Sequence, residues 1–360
     1  MCEVMKSMKN FAASSLAELF VAPYVIWGTG RVAQAFYRKY CKTESEKPIF
    51  WVDSNATKHG SCIDGIEIFA PEAFYRRSEA AYVKGERLSV VIGATGVFLL
   101  EILSLMERKM VKAAVYSAVQ LDAACYFSEE RARVEKIARR FADEKSRYIY
   151  ESIIRNMKGG RLVDFSLYEP NQYFGNDVIG ELARGEVFVD AGVCHGEEID
   201  RAIHGGNIFV HGFEPDAENY AYLLKKYEGR DDVRIHPCAL WDKDERLVFQ
   251  SNAATPSASR LAGADAHEEA AGIAARPLDD VLQGAACTLL KMDIEGAEYN
   301  ALLGAAKTIE QHRPKLAVCV YHSLEDYVRI PELLMERYPF YRFFLRQHSA
   351  TSGETVLYAL

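Results

Sequence analysis

The chain has 360 residues, of which 49% are hydrophobic and 26% charged, and carries a net charge of −8. That length favours two domains with a well-filled core, and the acidic balance excludes the basic stripe of a nucleic-acid surface. Eight cysteines are scattered with no C-x-x-C pair, which fits a reduced, cytoplasmic setting rather than a disulfide framework or a zinc site.

The opening "MCEVMKSMKNFAASSLAELFVAP" has early lysines and a mildly apolar middle, but Glu18 interrupts the apolar run. It reads as a short helix leading into a strand rather than as a signal peptide. No apolar run reaches the roughly 20 residues of a membrane span, so no membrane partner is expected. From Tyr24 to about Gln120 the strands "YVIWG", "PIFWVDS", "LSVVIGAT" and "AAVYS" alternate with the helices "RVAQAFYRKY" and "FLLEILSLMERKM". Such alternation predicts a parallel sheet with helices on both faces.

Within this half, "GTGRVAQ" is a G-x-G-x-x-A turn between a strand and a helix, and Asp53 follows Gly30 by 23 residues. Gly28, Gly30 and Asp53 thus have the pattern of a dinucleotide site, with the carboxylate favouring NAD over NADP. The continuation "VDSNATKHGSCIDGIEIFAPEAF" resembles the small N-terminal domain of sugar-nucleotide acyltransferases. That resemblance implies a nucleotide or nucleotide-sugar ligand; no obvious hydride-transfer residues follow the turn.

The stretch from Ser128 to Met157 is charged and helically periodic, stopping at Gly159 and Gly160, and reads as a helical connector. A second alternation follows in "EVFVDAG", "NIFVHGFEP", "VRIHPCAL", "CTLLKMDIEG" and "KLAVCVYH". The chain ends in "YRFFLRQHS" and "ETVLYAL", read as a hairpin that adds an antiparallel strand to a parallel sheet. Residues 251–272 read as a small-residue loop that would cover the acceptor. The expected organisation is α/β with two doubly wound domains: residues 1–120 Rossmann-like, 121–165 the connector, and 166–360 the second domain.

The turn "VDAGVCHGEE" lacks dinucleotide spacing. Gly192 lets the backbone turn, and Gly196 allows a ligand or helix to approach closely. Asp190 ends the strand where a diphosphate would otherwise lie, so it would repel phosphate but suit an ammonium. About 20 residues on, Glu214 ends the next strand, where a carboxylate takes ribose hydroxyls. A ligand with a ribose, a cationic part and no phosphate meets these demands, and S-adenosylmethionine is such a ligand.

These strings, with "HGFEPD", "RPLDDVL" and above all "LLKMDIEGAEYNALLGA", resemble the FkbM-type methyltransferases over roughly Gln172 to Leu360, including "QYF" at Gln172–Phe174. The resemblance implies a class I methyltransferase fold using S-adenosylmethionine. It implies that Asp190, Gly192 and Gly196 flank the methionine part, that Glu214 holds the ribose, and that Cys238 and Ala239 lie near adenine. Asp293 and Glu295 would face the methyl group and its acceptor, a sugar, glycan or small metabolite.

A hydroxyl acceptor calls for a general base. His322 or Asp293 is the candidate base and Glu295 the orienting group, because all three follow strands whose carboxyl ends meet at one sheet edge. Lys291 is read as a substrate ligand or a buried ion-pair partner of Asp293. A metal-dependent variant would use Asp293 with Asp279 or Asp280 as oxygen ligands; those two equally read as a helix cap, and no metal is assigned. Two further readings are a non-catalytic cofactor- or nucleotide-sugar-binding protein, and an NAD-dependent oxidoreductase working through the first domain.

Overall fold

The computed structural model describes residues 15–159, 167–250, 260–262, 272–349 and 353–360. The chain divides into two compact units, Met1–Arg131 with Ser152–Leu162, and Ala132–Glu151 with Val163–Leu360. Among the described residues, no helix is long and apolar enough to cross a membrane.

In the first unit, β1 (Tyr24–Trp27), β2 (Trp51–Val52), β3 (Cys62–Ile63), β4 (Ile66–Phe69), β5 (Ser89–Ile92) and β6 (Ala114–Ser117) form a sheet in the order β3-β4-β2-β1-β5-β6. All pairs are parallel except β3 with β4. Every residue of β1 and β5 is buried, as expected of strands covered on both faces. The antiparallel pair is absent from the sequence reading. It turns at Asp64 and Gly65, with φ of 48° and 78°, the left-handed pair that a tight I′ hairpin requires. A Cβ on Gly93 would lie 2.2 Å from that of Ala33, so this glycine lets the helix Arg31–Tyr40 pack directly on the end of β5.

The second unit has a seven-stranded sheet of β7 (Val187–Ala191), β8 (Phe209–Phe213), β9 (Val233–His236), β14 (Leu289–Met292), β15 (Lys315–Cys319), β16 (Phe343–Gln347) and β17 (Thr355–Ala359). Its order is β16-β17-β15-β14-β7-β8-β9, with only β17 antiparallel to its neighbours. Each strand expected from the second alternation is present, and the antiparallel ending is as expected. A further four-stranded sheet, β10 (Ala239–Leu240), β11 (Glu245–Gln250), β12 (Arg260–Ala262) and β13 (Gly272–Arg276), was not foreseen. Of the loop read over residues 251–272, Arg260–Ala262 form β12 and Gly272 opens β13; the rest lies outside the described residues.

The helical stretch read from Ser128 to Met157 is made of separate helices. Helices run over Ala118–Glu129, Arg131–Ala138 and Glu144–Gly159. The break between the last two occurs because Phe141 bridges Phe343 and Ala142 N–H donates to the Phe343 carbonyl at 2.8 Å. Asp143 then accepts the Ser146 N–H at 2.7 Å and restarts the helix as a cap.

This junction is pinned by Arg346 on β16, 2% exposed. Its guanidinium donates to Asp143 Oδ2 at 2.8 Å, to both Asp177 oxygens at 2.8 and 3.0 Å, and to Ser146 Oγ at 2.9 Å. Against the effect of burial, Arg346 and Lys145 hold the Asp177 carboxyl down at about 2. Arg346→Met is expected to cost about 2–3 kcal/mol at pH 7, less than for a fully enclosed pair because Asp177 is 42% exposed. A depressed carboxylate contributes stability above its unfolded value of about 3.9 and loses it as pH falls through its folded value. The gap between the denaturation midpoints of wild type and variant should therefore close between about pH 4 and 2. A gap independent of pH would remove Asp177 from this account.

Candidate functional site

The carboxyl ends of β7, β8, β14 and β15 meet at one edge of the seven-stranded sheet, because these strands are parallel and adjacent. The turn after β7 has three left-handed residues, Gly192 (φ 87°), Cys194 (52°) and Gly196 (80°). A Cβ on Gly192 would lie 1.9 Å from the Asp293 carbonyl, and one on Gly196 would lie 2.4 Å from the Tyr227 hydroxyl. Both glycines are thus demanded by close packing as well as by φ. Glu214, 5% exposed at the end of β8, accepts the Cys194 N–H at 2.8 Å and the Asp216 N–H at 2.9 Å, one on each oxygen. Burial pushes its carboxyl up. The following helix, Glu197–His204, has Glu197, Glu198 and Asp200 in its first turn, charges that oppose a phosphate there.

Asp190 is fully buried. The ammonium beside it belongs to the protein: Lys291 Nζ lies 2.9 Å from Asp190 Oδ1 and donates to the Gly192 carbonyl at 2.8 Å. The register sets this up, because Lys291 of β14 pairs with Asp190 of β7. Although burial opposes the charge, Asp190 and then Asp293 raise the Lys291 ammonium above its ordinary value. Burial raises the Asp190 carboxyl, with Lys291 working against it. Of the two sequence readings of Lys291, the ion pair is the observed one, and its direct partner is Asp190.

Asp293, immediately after β14, is the hub of the edge. Its Oδ2 accepts the Tyr173 hydroxyl at 2.6 Å, and its Oδ1 accepts the Tyr321 hydroxyl at 3.2 Å. His322 Nε2 stands 3.4 Å from Asp293 Oδ1 and 3.6 Å from Glu295 Oε2, while its Nδ1 is 3.0 Å from Glu298 Oε1. The Glu295 backbone is itself left-handed at φ 57°, followed by Gly296 at 97°. Burial works against a charged ring, but Glu298, Asp293 and Glu295 together push the His322 imidazole up to about 9. The same surroundings hold the Asp293 carboxyl below its ordinary value, despite burial, chiefly through Lys291 and His322. The structure therefore brings Asp293, Glu295 and His322 together, with His322 as a protonated partner at neutral pH.

Cys238 and Ala239 are both buried, just beyond β9 and at the start of β10, and burial pushes the Cys238 thiol up to about 11. Asp279 is occupied elsewhere: its oxygens accept the N–H groups of Lys307 and Thr308 at 2.9 and 2.8 Å and the Thr308 hydroxyl at 2.7 Å. It caps the helix Ala306–His312 rather than joining Asp293, and the neighbouring Asp280 belongs to the short helix Leu278–Leu282.

In the first unit, Gly28 (φ 102°) makes the turn and Gly30 precedes the helix, as the G-x-G pattern predicts. Asp53, however, already accepts the Thr29 N–H at 3.2 Å, the Thr29 hydroxyl, and Lys58 Nζ at 3.0 Å. A ribose at this carboxylate would compete with an ion pair and two local hydrogen bonds.

Sequence reasoning passed over Tyr173, Tyr321, Glu298 and Glu354. Glu354 accepts from Gln172 at 2.8 Å and from Tyr321 at 3.3 Å, extending the Asp293 network. Tyr173 lies inside the "QYF" string and Glu298 inside "DIEGAE", so motif membership was the available signal for both. Nothing local marks Glu354.

Residues 190–348 match the family model described as the methyltransferase FkbM domain. Among solved structures, the chain is similar to the methyltransferase FkbM from Methylobacillus flagellatus KT, at 20% identity over 100% of this chain and 96% of that one, with a TM-score of 0.61. A partial likeness extends to Aeropyrum pernix fibrillarin in complex with natively bound S-adenosyl-L-methionine, at 11% identity over 51% of this chain and 70% of that one, with a TM-score of 0.34. An rRNA methylase from Streptococcus thermophilus matches at 13% identity over 50% and 87%, with a TM-score of 0.32. The Methylobacillus match establishes a shared fold. No curated protein matches the sequence.

Proposed function

We propose, from the premise that residues 190–348 form an FkbM-type methyltransferase domain, that the protein transfers a methyl group from S-adenosylmethionine to a hydroxyl oxygen of a sugar, glycan or small metabolite. The observation that carries this reading is the joining, at one sheet edge, of a buried Glu214 tied to the glycine turn and the Asp293–Glu295–His322 group.

The residues fit such a cofactor. Each Glu214 oxygen accepts one backbone N–H and keeps lone-pair capacity for ribose hydroxyls. Asp190 acts at one remove: it holds Lys291, and Lys291 holds the Gly192 carbonyl and hence the turn. Cys238 and Ala239 would line the base end.

When bound, S-adenosylmethionine supplies an already activated methyl group on a sulfonium. The work left to the protein is alignment and removal of the acceptor proton. Bound there, the cofactor would supply its methyl group to the acceptor oxygen, and Asp293 would take the hydroxyl proton. Tyr173 and Tyr321 fix the Asp293 carboxylate, and Glu295 orients the hydroxyl. His322, already protonated, holds both carboxylates in place and is not the base.

Calorimetric titration with S-adenosylhomocysteine tests the reading. Wild type should bind, with about 2.7 kcal/mol of added stability at 100 times the dissociation constant. Glu214→Gln should bind roughly tenfold or more weakly, as expected when a charge-assisted hydrogen bond is lost. A folded wild type with no affinity for this ligand would overturn the proposal.

A further inference from the structure

Glu298 is a fully buried acidic side chain at the sheet edge. It is 0% exposed, its Oε1 accepts the Ile294 N–H at 2.8 Å and faces His322 Nδ1, and its Oε2 has no hydrogen-bond partner among the described residues. A buried carboxylate oxygen left unsatisfied is expensive and calls for a partner. Asp293 and Glu295 add two more carboxylates within reach of the same imidazole, so three acidic groups converge on one ring.

We propose that Asp293, Glu298 and His322 form a divalent-cation site, with Glu295 at its solvent side; the ion takes the place of the imidazole proton, so His322 is the protonated partner only while the ion is absent. One ligand atom from each of these three residues lies within 4.8 Å of the others. Ligand atoms about 2.1–2.5 Å from a shared ion lie roughly 3 Å apart when adjacent and up to about 5 Å apart across it, a range that includes the 4.8 Å limit of this group. Carboxylates with a single imidazole suit magnesium, manganese or a similar hard to borderline ion. The site is partly built in advance. Ile294 N–H and the helix start anchor Glu298, Tyr173 and Tyr321 orient Asp293, and the left-handed pair Glu295–Gly296 wraps the loop around it.

The cation has a use in the reaction, and this part rests on the methyl-transfer reading. Asp293 is the proton acceptor of that reading, and an alcohol gives up its proton reluctantly. A divalent ion beside it would bind the acceptor oxygen and ease loss of its proton to a carboxylate. The hydroxyl would then be deprotonated before or during attack on the methyl carbon, with no change to the bonds made and broken.

The test is manganese binding to the purified full-length chain, followed by electron paramagnetic resonance, alongside S-adenosylhomocysteine calorimetry. Wild type should bind one Mn²⁺ with ¹⁴N modulation from a coordinated imidazole. Asp293→Asn and Glu298→Gln should each weaken binding by about 10- to 100-fold, and the surface variant Glu336→Gln should not. Absence of Mn²⁺ binding, absence of the imidazole signal, or binding unchanged in Asp293→Asn would overturn the site. Retained S-adenosylhomocysteine binding in such a result would leave the methyltransferase reading standing, whereas loss of cofactor binding with intact Mn²⁺ binding would do the reverse. Should Glu298→Gln fail to fold, Asp293→Asn and the wild-type spectrum still decide.

Discussion

Lys291→Met is expected to destabilise the protein by about 3–5 kcal/mol, read as a large fall in the urea midpoint. Lys291 is 3% exposed and Asp190 is 0% exposed, so removing the ammonium leaves a carboxylate with no water and no counter-charge. The loss extends beyond the pair. Lys291 also donates to the Gly192 and Ala191 carbonyls at 2.8 and 3.3 Å and lies 5.1 Å from the centre of the Tyr173 ring. The double variant Asp190→Leu, Lys291→Met should recover most of the stability, because an apolar pair of similar volume removes the desolvation cost along with the attraction. It should not recover the geometry of the turn, so S-adenosylhomocysteine affinity should remain depressed. A single variant within about 1 kcal/mol of wild type would show that water reaches Asp190 and that the pair is not the anchor.

Asp293→Asn is expected to lower kcat by about 10²- to 10⁴-fold, the range for loss of a positioned proton acceptor, while S-adenosylhomocysteine affinity changes little. Asparagine keeps an oxygen for the Tyr173 and Tyr321 hydroxyls but loses the charge that accepts a proton. The split matters: equal losses in turnover and cofactor affinity would make Asp293 a cofactor ligand only. With an acceptor in hand, transfer of a labelled methyl group measures kcat, and calorimetry measures the affinity. Unchanged turnover would transfer the base role to Glu295, the remaining carboxylate facing the acceptor.

The strand–helix alternation of both halves was legible because buried parallel strands read as short apolar runs between helical periods. The final antiparallel hairpin was legible for the same reason. The I-D-G-I hairpin of β3 and β4 was passed over although its Asp-Gly pair is a hairpin signal, because β3 is only the two residues Cys62–Ile63 and shows no strand period of its own. The connector broke into separate helices because Phe141 found a strand partner at Phe343, 202 residues away in sequence and invisible to a helical period. The four-stranded β10–β13 sheet was hidden in short, small-residue segments whose pairing depends on distant partners.

At the site the division is equally clear. The sequence by itself determined which residues end the strands: Asp190, Glu214, Asp293 and His322 each follow an apolar run, and Gly192 and Gly196 mark the turn. Only the tertiary structure decided what those residues face. Sheet order sets β14 beside β7, which commits Asp190 to Lys291 and leaves Asp293 to the tyrosines and His322. It also closes Glu298 onto the imidazole, turning a motif glutamate into a fully buried side chain. The physical reason is that a strand's apolar pattern depends on its own residues, whereas the partner of a buried charge depends on register between segments about 100 residues apart, and burial makes that partner decide the charge.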